Sequence, residues 1–456
     1  MTTSRFLSDA LRKLNIATLS RSDLDGRDPG IDPENFSAGL AAYPKSVDDV
    51  RSIVSLCAQE SVSIVTQGGR TGLAGGAASS PGQLVVMMDK MNNIREIDAT
   101  SSVAVVDAGV TLLQLNDEVR AHGLTVGVDL AARGSCTIGG MVATNAGGSE
   151  AFRNGVMRQR VLGLEVVLPN GTIMHDLKKV VKANEGYDLK QLFIGSEGTL
   201  GIVTGVVLTL DTEARRGHTA LVASKDAACA ISAFQRLRDA FGTGLLAAEI
   251  MWRDYFQTTM SELKSTHKFE HLEGEVLVIF DVDDSVDAEA FQNLLSDSLE
   301  LSELTDALLA KNEQEQLDIW LVREESFLID RRYPGGCWFD ISIPLANIDD
   351  FVRESNARLH ALDPDLGIYV MGHLGDGNLH YTIAKDEPVD HLYKDISAAL
   401  YSGLVEIGGS FSAEHGIGTE KREALATYGD TAKLTLMASV KKTIDPQNIM
   451  NPGKVI

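Results

Sequence analysis

The chain is 456 residues long, too long for one ordinary core, and about two or three domains are expected. Its 64 acidic against 41 basic residues leave a formal charge of −23, which disfavours nucleic acid or anionic lipid as a main partner and serves solubility. Cys57, Cys136, Cys229 and Cys337 are far apart with no CxxC pair, which argues against a zinc ribbon, an iron–sulfur cluster or a disulfide scaffold and fits a reducing compartment.

Residues 1–40 carry a short amphipathic stretch and then the Asp/Gly/Pro-rich segment Asp23–Asp32, read as a surface arm. Met1–Asn15 is charged and interrupted, unlike a signal peptide. No apolar run approaches the roughly 18 residues of a membrane span. The expected location is cytoplasmic, with peripheral attachment to an inner membrane left open. Ser46 can cap a helix through Ala58, with Asp48 and Asp49 well placed in its first turn. Strands are expected at Val62–Thr66, Leu84–Met88 and Val103–Asp107, and Thr111 can cap a helix to about Ala121. Pro169-Asn170-Gly171, between Leu164–Leu168 and Thr172–His175, signals a hairpin. Ile202–Leu210 is a further β-rich run. After Thr212, helical periods at 226–241, 286–300 and 313–330 alternate with strands at 275–281, 338–343 and 367–373, which predicts an antiparallel sheet with helices on one face. From about residue 411 come Gly-rich loops, a helix and the tail Asn448–Ile456.

Three glycine-rich loops stand out: Gln67–Gly76 (QGGRTGLAGG), Cys136–Gly148 (CTIGGMVATNAGG) and Gly195–Gly201 (GSEGTLG). Glycine lets backbone N–H groups approach a ligand closely, and successive N–H groups form a concave anion site suited to a diphosphate. One such loop alone is as readily a tight turn. Neither a P-loop lysine signature nor a GxGxxG between strand and helix occurs, which disfavours ATP and a Rossmann-bound dinucleotide. Three loops separated by strands call for a larger ligand with a diphosphate.

With the further stretch Gly186–Gly198 (GYDLKQLFIGSEG), the chain resembles the FAD-binding dehydrogenases of the vanillyl-alcohol oxidase superfamily. It is most similar to the D-2-hydroxy-acid dehydrogenases, a group that includes D-lactate and D-2-hydroxyglutarate dehydrogenases and the glycolate oxidase flavin subunit. The likeness runs from about Pro44 to Ile456. It implies an α+β protein: an N-terminal arm (1–40), a two-lobed FAD-binding domain (41–212), an α+β cap or substrate domain (213–410), and a C-terminal segment (411–456) that returns to the active site and the FAD domain. It implies FAD contacts from Gly68, Gly69, Arg70, Thr71 and Gly72, from Cys136, Thr137, Gly139, Gly140, Thr144, Asn145, Gly147 and Gly148, and from Glu197, Gly198, Ile202 and Asn451. Members often bond the flavin covalently through a His in the first loop. Arg70 stands in that region here and no His does, so non-covalent FAD is expected.

The sharpest chemical signal is Gly372–His380 (GHLGDGNLH). Asp-Gly is a preferred two-residue type I′ turn. With Asp376 and Gly377 at the tip, His373 opposes His380 on one face, about 5 Å apart at Cβ, where two imidazoles can chelate one metal ion. Glu414-His415, flanked by small residues, is the candidate for a third ligand. The resemblance implies His373, His380 and Glu414 as metal ligands and His415 as the base. Two His and a carboxylate suit zinc, and also iron or manganese. A 2-hydroxy acid would then lose its hydroxyl proton to His415 and its Cα hydride to the flavin.

Arg323, on a predicted helix, reads either as part of a solvated face or, by the resemblance, as a clamp for the substrate carboxylate. Asn378, Phe327 and Trp338 are assigned to the substrate pocket. D-2-hydroxyglutarate dehydrogenases commonly carry Lys where Trp338 stands, a small polar residue near Phe327 and Asn near Thr382. These departures favour a substrate with a small or apolar side chain, unless Arg331 or Arg332 bends inward. An oxygen-using oxidase of the same fold is the competing activity. A non-oxidative flavoprotein and an electron-relay subunit are the other classes weighed, and a relay needs no alcohol base. The electron acceptor is open between an electron-transfer flavoprotein, a quinone and a cytochrome. A homodimer is expected.

Overall fold

In the computed structural model, which describes residues 3–263, 269–325 and 327–456, the chain divides into two compact units. The first comprises Met1–Gly148, Asn154–Glu213 and Glu414–Ile456. The second comprises Ser149–Arg153 and Ala214–Ala413.

The strands of the first unit are β1 (Ala17–Ser20), β2 (Leu40–Tyr43), β3 (Ile64–Gln67), β4 (Leu84–Met87), β5 (Ile94–Asp98), β6 (Val103–Asp107), β7 (Leu124–Thr125), β8 (Val161–Val167), β9 (Ile173–Asp176), β10 (Ile202–Thr209) and β11 (Asp211–Thr212). Among the described residues they form a four-stranded sheet in the order β1-β2-β4-β3, a five-stranded sheet in the order β5-β6-β10-β8-β9, and the short pair β11-β7. β2, β4 and β3 run parallel. The five-stranded sheet is antiparallel throughout. Local chemistry explains the helix between β2 and β3. Ser46 Oγ accepts the N–H of Asp49, two aspartates sit in the first turn, and Val50, Ile53, Val54 and Cys57 face the core. Thr111 caps Leu112–Arg120 in the same way.

The expected surface arm is corrected. Thr3–Lys13 is a helix whose Leu7 and Leu11 are buried, Ile16 follows into the same core, and β1 extends the four-stranded sheet as an antiparallel edge. An amphipathic helix of this length needs a surface to bury its apolar stripe, and the sheet supplies one.

The second unit contains β12 (Arg216–Ser224), β13 (Leu245–Trp252), β14 (Val276–Asp283), β15 (Asp306–Leu309), β16 (Cys337–Ser342), β17 (Gly367–His373) and β18 (Asn378–Ala384). Among the described residues these make one antiparallel seven-stranded sheet in the order β15-β12-β14-β13-β17-β18-β16. Helices cover both faces, not one as expected. Ser355, on the helix Ile348–Leu362, meets Tyr381, and Phe339 stacks on Tyr393 of the helix Tyr393–Tyr401. On the opposite face, Tyr255, Phe256, Ile319, Trp320 and Ile329 pack with Met251, Ile279 and Met371. β13 and β14 are apolar on both sides, which only a doubly covered sheet accommodates. The helix expected over 313–330 is two helices, Glu313–Glu324 and Phe327–Arg332, and Ser326 lies outside the described residues. Among the described residues no helix is long and apolar enough to cross a membrane.

Candidate active site

All three glycine-rich loops of the first unit line one cleft. Gly68 through Gly72 border it from the first loop, Cys136, Thr137, Gly139, Gly140, Thr144 and Gly147 from the second, and Glu197 and Gly198 from the third, with Ile202 beside them. Glu414 and His415 line the same cleft. The glycines serve close packing as well as access. A Cβ on Gly69 would lie 2.0 Å from the carbonyl oxygen of Ser135, so the first and second loops touch only because it is absent. A Cβ on Gly72 would meet nothing within 4 Å.

Three of the residues expected to contact FAD do not line the cleft. Asn145 ends the helix Ile138–Thr144 in the left-handed conformation, and its Oδ1 accepts the N–H of Arg158. A Cβ on Gly148 would collide with the backbone of Asp129 at 1.9 Å. Asn451 Nδ2 donates to the carbonyls of Gly76 and Glu197, at 2.9 and 2.8 Å, and so braces two of the loops. Arg70 interacts with Asp89 at 3.8 Å and lies over the Phe36 ring. Glu197 is largely occupied elsewhere than expected. Its carboxylate oxygens accept the N–H groups of Ile417 and Gly418 at 2.7 and 2.9 Å, which ties the Glu414-His415 loop to the cleft. Burial raises the Glu197 carboxyl above the usual range, against the pull of those two N–H bonds. Burial likewise pushes the Cys136 thiol up to about 11, so it lines the cleft as a thiol.

In the second unit, the hairpin β17–β18 brings His373 and His380 together with ring centroids 5.4 Å apart and planes nearly perpendicular. The register differs from expectation. His373 pairs with Asn378, and Met371 pairs with His380, so the two imidazoles are diagonal neighbours. The connection is the four-residue turn Leu374–Gly377, closed by Gly377 N–H to His373 O at 3.0 Å and by Asn378 N–H to Asp376 Oδ1 at 3.0 Å. Type I′ needs positive φ at both central residues, and of Asp376 and Gly377 only Gly377 has it. A shift of two residues preserves the face, so both histidines stay on one side.

The register identifies what shares that face. Glu249 on β13 is directly opposite His373, and Asp340 on β16 is directly opposite His380. His373 Nδ1 lies 2.8 Å from Glu249 Oε1, and His380 Nδ1 lies 3.7 Å from Asp340 Oδ1. Asp340 is fully buried and accepts from Asn378 Nδ2 at 2.8 Å and from the Ala413 N–H at 3.0 Å. Ala413 is the residue before Glu414. Sequence reasoning missed both carboxylates. Each is the single charged residue in an apolar strand, LLAAEIMW and CWFDIS, and that was the available signal, because a buried charge needs a partner. Asn378 is buried, and among the described residues its Oδ1 has no hydrogen-bond partner.

Arg323 is not on a solvated face. It is buried in the last turn of Glu313–Glu324, and its Nε donates to Glu249 Oε2 at 2.8 Å. Arg331 and Arg332 form exposed ion pairs with Glu325 and Glu262. Phe327 and Trp338 meet edge to face at 6.0 Å, and they remain 47% and 39% exposed. Trp338 is directly opposite Thr382. This pair lies two residues, roughly 7 Å, along the strands from Asp340 and His380. Beside Trp338, burial lifts the Asp330 carboxyl to about 6, despite a hydrogen bond from Trp338 and the charge of Arg331.

Two family models match the chain: the FAD binding domain over residues 38–177, and the C-terminal domain of the FAD linked oxidases over residues 213–455. The mitochondrial D-2-hydroxyglutarate dehydrogenase of Arabidopsis thaliana is 34% identical, over 92% of this chain and 75% of its own length. The D-2-hydroxyglutarate dehydrogenase of Xanthomonas citri pv. viticola is 31% identical, over 91% of this chain and 88% of its own length. The crystal structure of p-cresol methylhydroxylase with substrate bound has a TM-score of 0.73 at 17% identity, covering 99% of this chain and 96% of that one, a likeness of fold.

Proposed function

The chain belongs to the FAD-linked oxidase family, and we propose that it oxidises a D-2-hydroxy acid to the 2-oxo acid, with non-covalently held FAD and an electron acceptor other than NAD. The observation that carries this reading is that Glu414 and His415 line the cleft built by the three glycine-rich loops. An alcohol-oxidising flavoenzyme needs a base beside its flavin, and an imidazole titrates near neutral pH.

The residues fit both absent groups. The cleft has glycines at Gly68, Gly69 and Gly72 facing it, as a diphosphate requires. Two imidazoles on one sheet face, each with a carboxylate near Nδ1, are the donor set of a divalent metal site. His373, His380 and Glu414 would hold the metal, with zinc the first choice and iron or manganese the others. When bound, FAD accepts the hydride from Cα, and the metal lowers the pKa of the substrate hydroxyl. His415 takes the hydroxyl proton on a ring nitrogen. Arg323 holds the substrate carboxylate with its terminal nitrogens, its Nε being engaged by Glu249. The buried Oδ1 of Asn378 is an acceptor on the same face.

The aromatic pair Phe327–Trp338 supports a small or apolar substrate side chain. A second reading, a substrate with a second carboxylate, is favoured by the names of the Arabidopsis and Xanthomonas relatives. Purified protein assayed with D- and L-2-hydroxy acids and a dye acceptor tests the proposal. D-selective dye reduction without peroxide in air is expected. Peroxide at the turnover rate would make it an oxidase, and flavin retained by acid-precipitated protein would sink non-covalent binding.

A further inference from the structure

Glu249 sits between two residues of the proposed site and is 1% exposed. Oε1 lies 2.8 Å from His373 Nδ1, and Oε2 accepts from Arg323 Nε at 2.8 Å. The three side chains come from β13, β17 and the helix Glu313–Glu324, 124 and 74 residues apart in sequence from the glutamate. We infer that Glu249 is a positioning residue that fixes the tautomer of His373 and the orientation of Arg323 together. The inference rests on the metal reading above and deepens it.

A carboxylate only accepts hydrogen bonds, so His373 Nδ1 carries the proton in this contact and Nε2 is left as the ligand atom. A carboxylate on the far nitrogen also makes the imidazole a better donor to a metal. The same carboxylate, by holding Nε, turns the terminal nitrogens of Arg323 away from it as a rigid fork. The metal ligand and the carboxylate clamp therefore share one support, and displacing it disturbs both. Asp340 is a weaker counterpart. Its distance to His380 is 3.7 Å, and it also accepts from Asn378 and Ala413.

A glutamine cannot replace Glu249. Its amide oxygen can accept from His373 Nδ1–H, but its NH₂ then faces the Arg323 N–H, donor against donor. The test is the dissociation constant of Zn²⁺ for the FAD-loaded protein and for Glu249→Gln, measured by competition with a chromogenic chelator. The variant is expected to bind Zn²⁺ about 10–100-fold more weakly, with unchanged flavin content and a raised KM. Affinity within twofold of the parent, in a variant that holds FAD, overturns the inference and leaves the metal reading intact. A parent chain that binds no Zn²⁺ overturns both. The coordinating atom can also be read in the unmutated protein, loaded with ¹¹³Cd and labelled with ¹⁵N-histidine. Coupling of the metal to His373 Nε2 is expected, and coupling to Nδ1 overturns the inference whether or not the variant folds.

Discussion

The carboxylate of Glu197 accepts the N–H of Gly418 at 2.9 Å, across 221 residues of sequence, and its other oxygen takes Ile417 N–H at 2.7 Å. One buried acid in the third glycine-rich loop therefore holds the segment that presents Glu414 and His415. In Glu197→Gln only one oxygen remains, and one buried N–H loses its acceptor, a cost of about 1–3 kcal/mol. The variant should unfold several degrees below the parent and turn over more slowly, because the loop carrying the base is looser. Thermal unfolding with FAD bound, alongside kcat, checks this. An unchanged melting temperature would show that the two N–H bonds contribute little.

Chelation should abolish turnover while flavin absorbance stays with the protein. His373→Ala, His380→Ala and Glu414→Ala should each lower metal content and activity, since each deletes a proposed ligand. His415→Ala should keep metal and flavin but lose on the order of 10²–10⁴ in kcat, the usual range for a general base. Near-normal metal content and rate in any of the three ligand variants would refute the assignment.

These residues were readable in sequence for a local reason. His373 and His380 sit seven positions apart around a Gly-Asp-Gly turn, so short-range rules put them on one face even with the turn type wrong. The register slip arose because Leu374 and Gly375 belong to the turn. Gly375 is packed so tightly that a Cβ would lie 2.5 Å from the Phe152 ring, a contact no local rule contains. Glu249 and Asp340 were not readable as site residues, since strand order alone brings them beside the histidines. The helix Thr3–Lys13 was seen as amphipathic but taken for surface, because its covering sheet is assembled from strands that follow it.

Asp330 gives a pH prediction. Burial raises its folded-state pKa to about 6 from an ordinary 3.8. A raised carboxyl binds its proton more tightly when folded, so its favourable contribution is full below about pH 4 and is lost as pH rises through about 6. Asp330→Asn keeps an acceptor for Trp338 and removes the titration. The melting temperature of the variant relative to the parent should therefore rise between pH 4 and pH 7. A difference that is flat across this range would mean Asp330 titrates normally.

The remaining prediction concerns the substrate side chain. Register puts Trp338 and Thr382 one step along the strands from Asp340 and His380, on the same face, with the Phe327 ring against Trp338. A substrate held at the histidines and extending along the sheet would meet aromatic surface and the Asp330 carboxyl there. Arg331 and Arg332 are held by Glu325 and Glu262. A second carboxylate desolvated at such a wall has no cation to receive it, and an unpaired charge is costly to bury. D-lactate or D-2-hydroxybutyrate should therefore exceed D-2-hydroxyglutarate in kcat/KM by tenfold or more, about 1.4 kcal/mol in transition-state binding. Trp338→Lys should narrow or invert that ratio through the KM for 2-hydroxyglutarate, because it supplies a cation and removes the ring. If the parent instead prefers 2-hydroxyglutarate tenfold, a cation reaches the distal carboxylate after all. Arg331→Ala and Arg332→Ala would then identify it by the one that abolishes the preference.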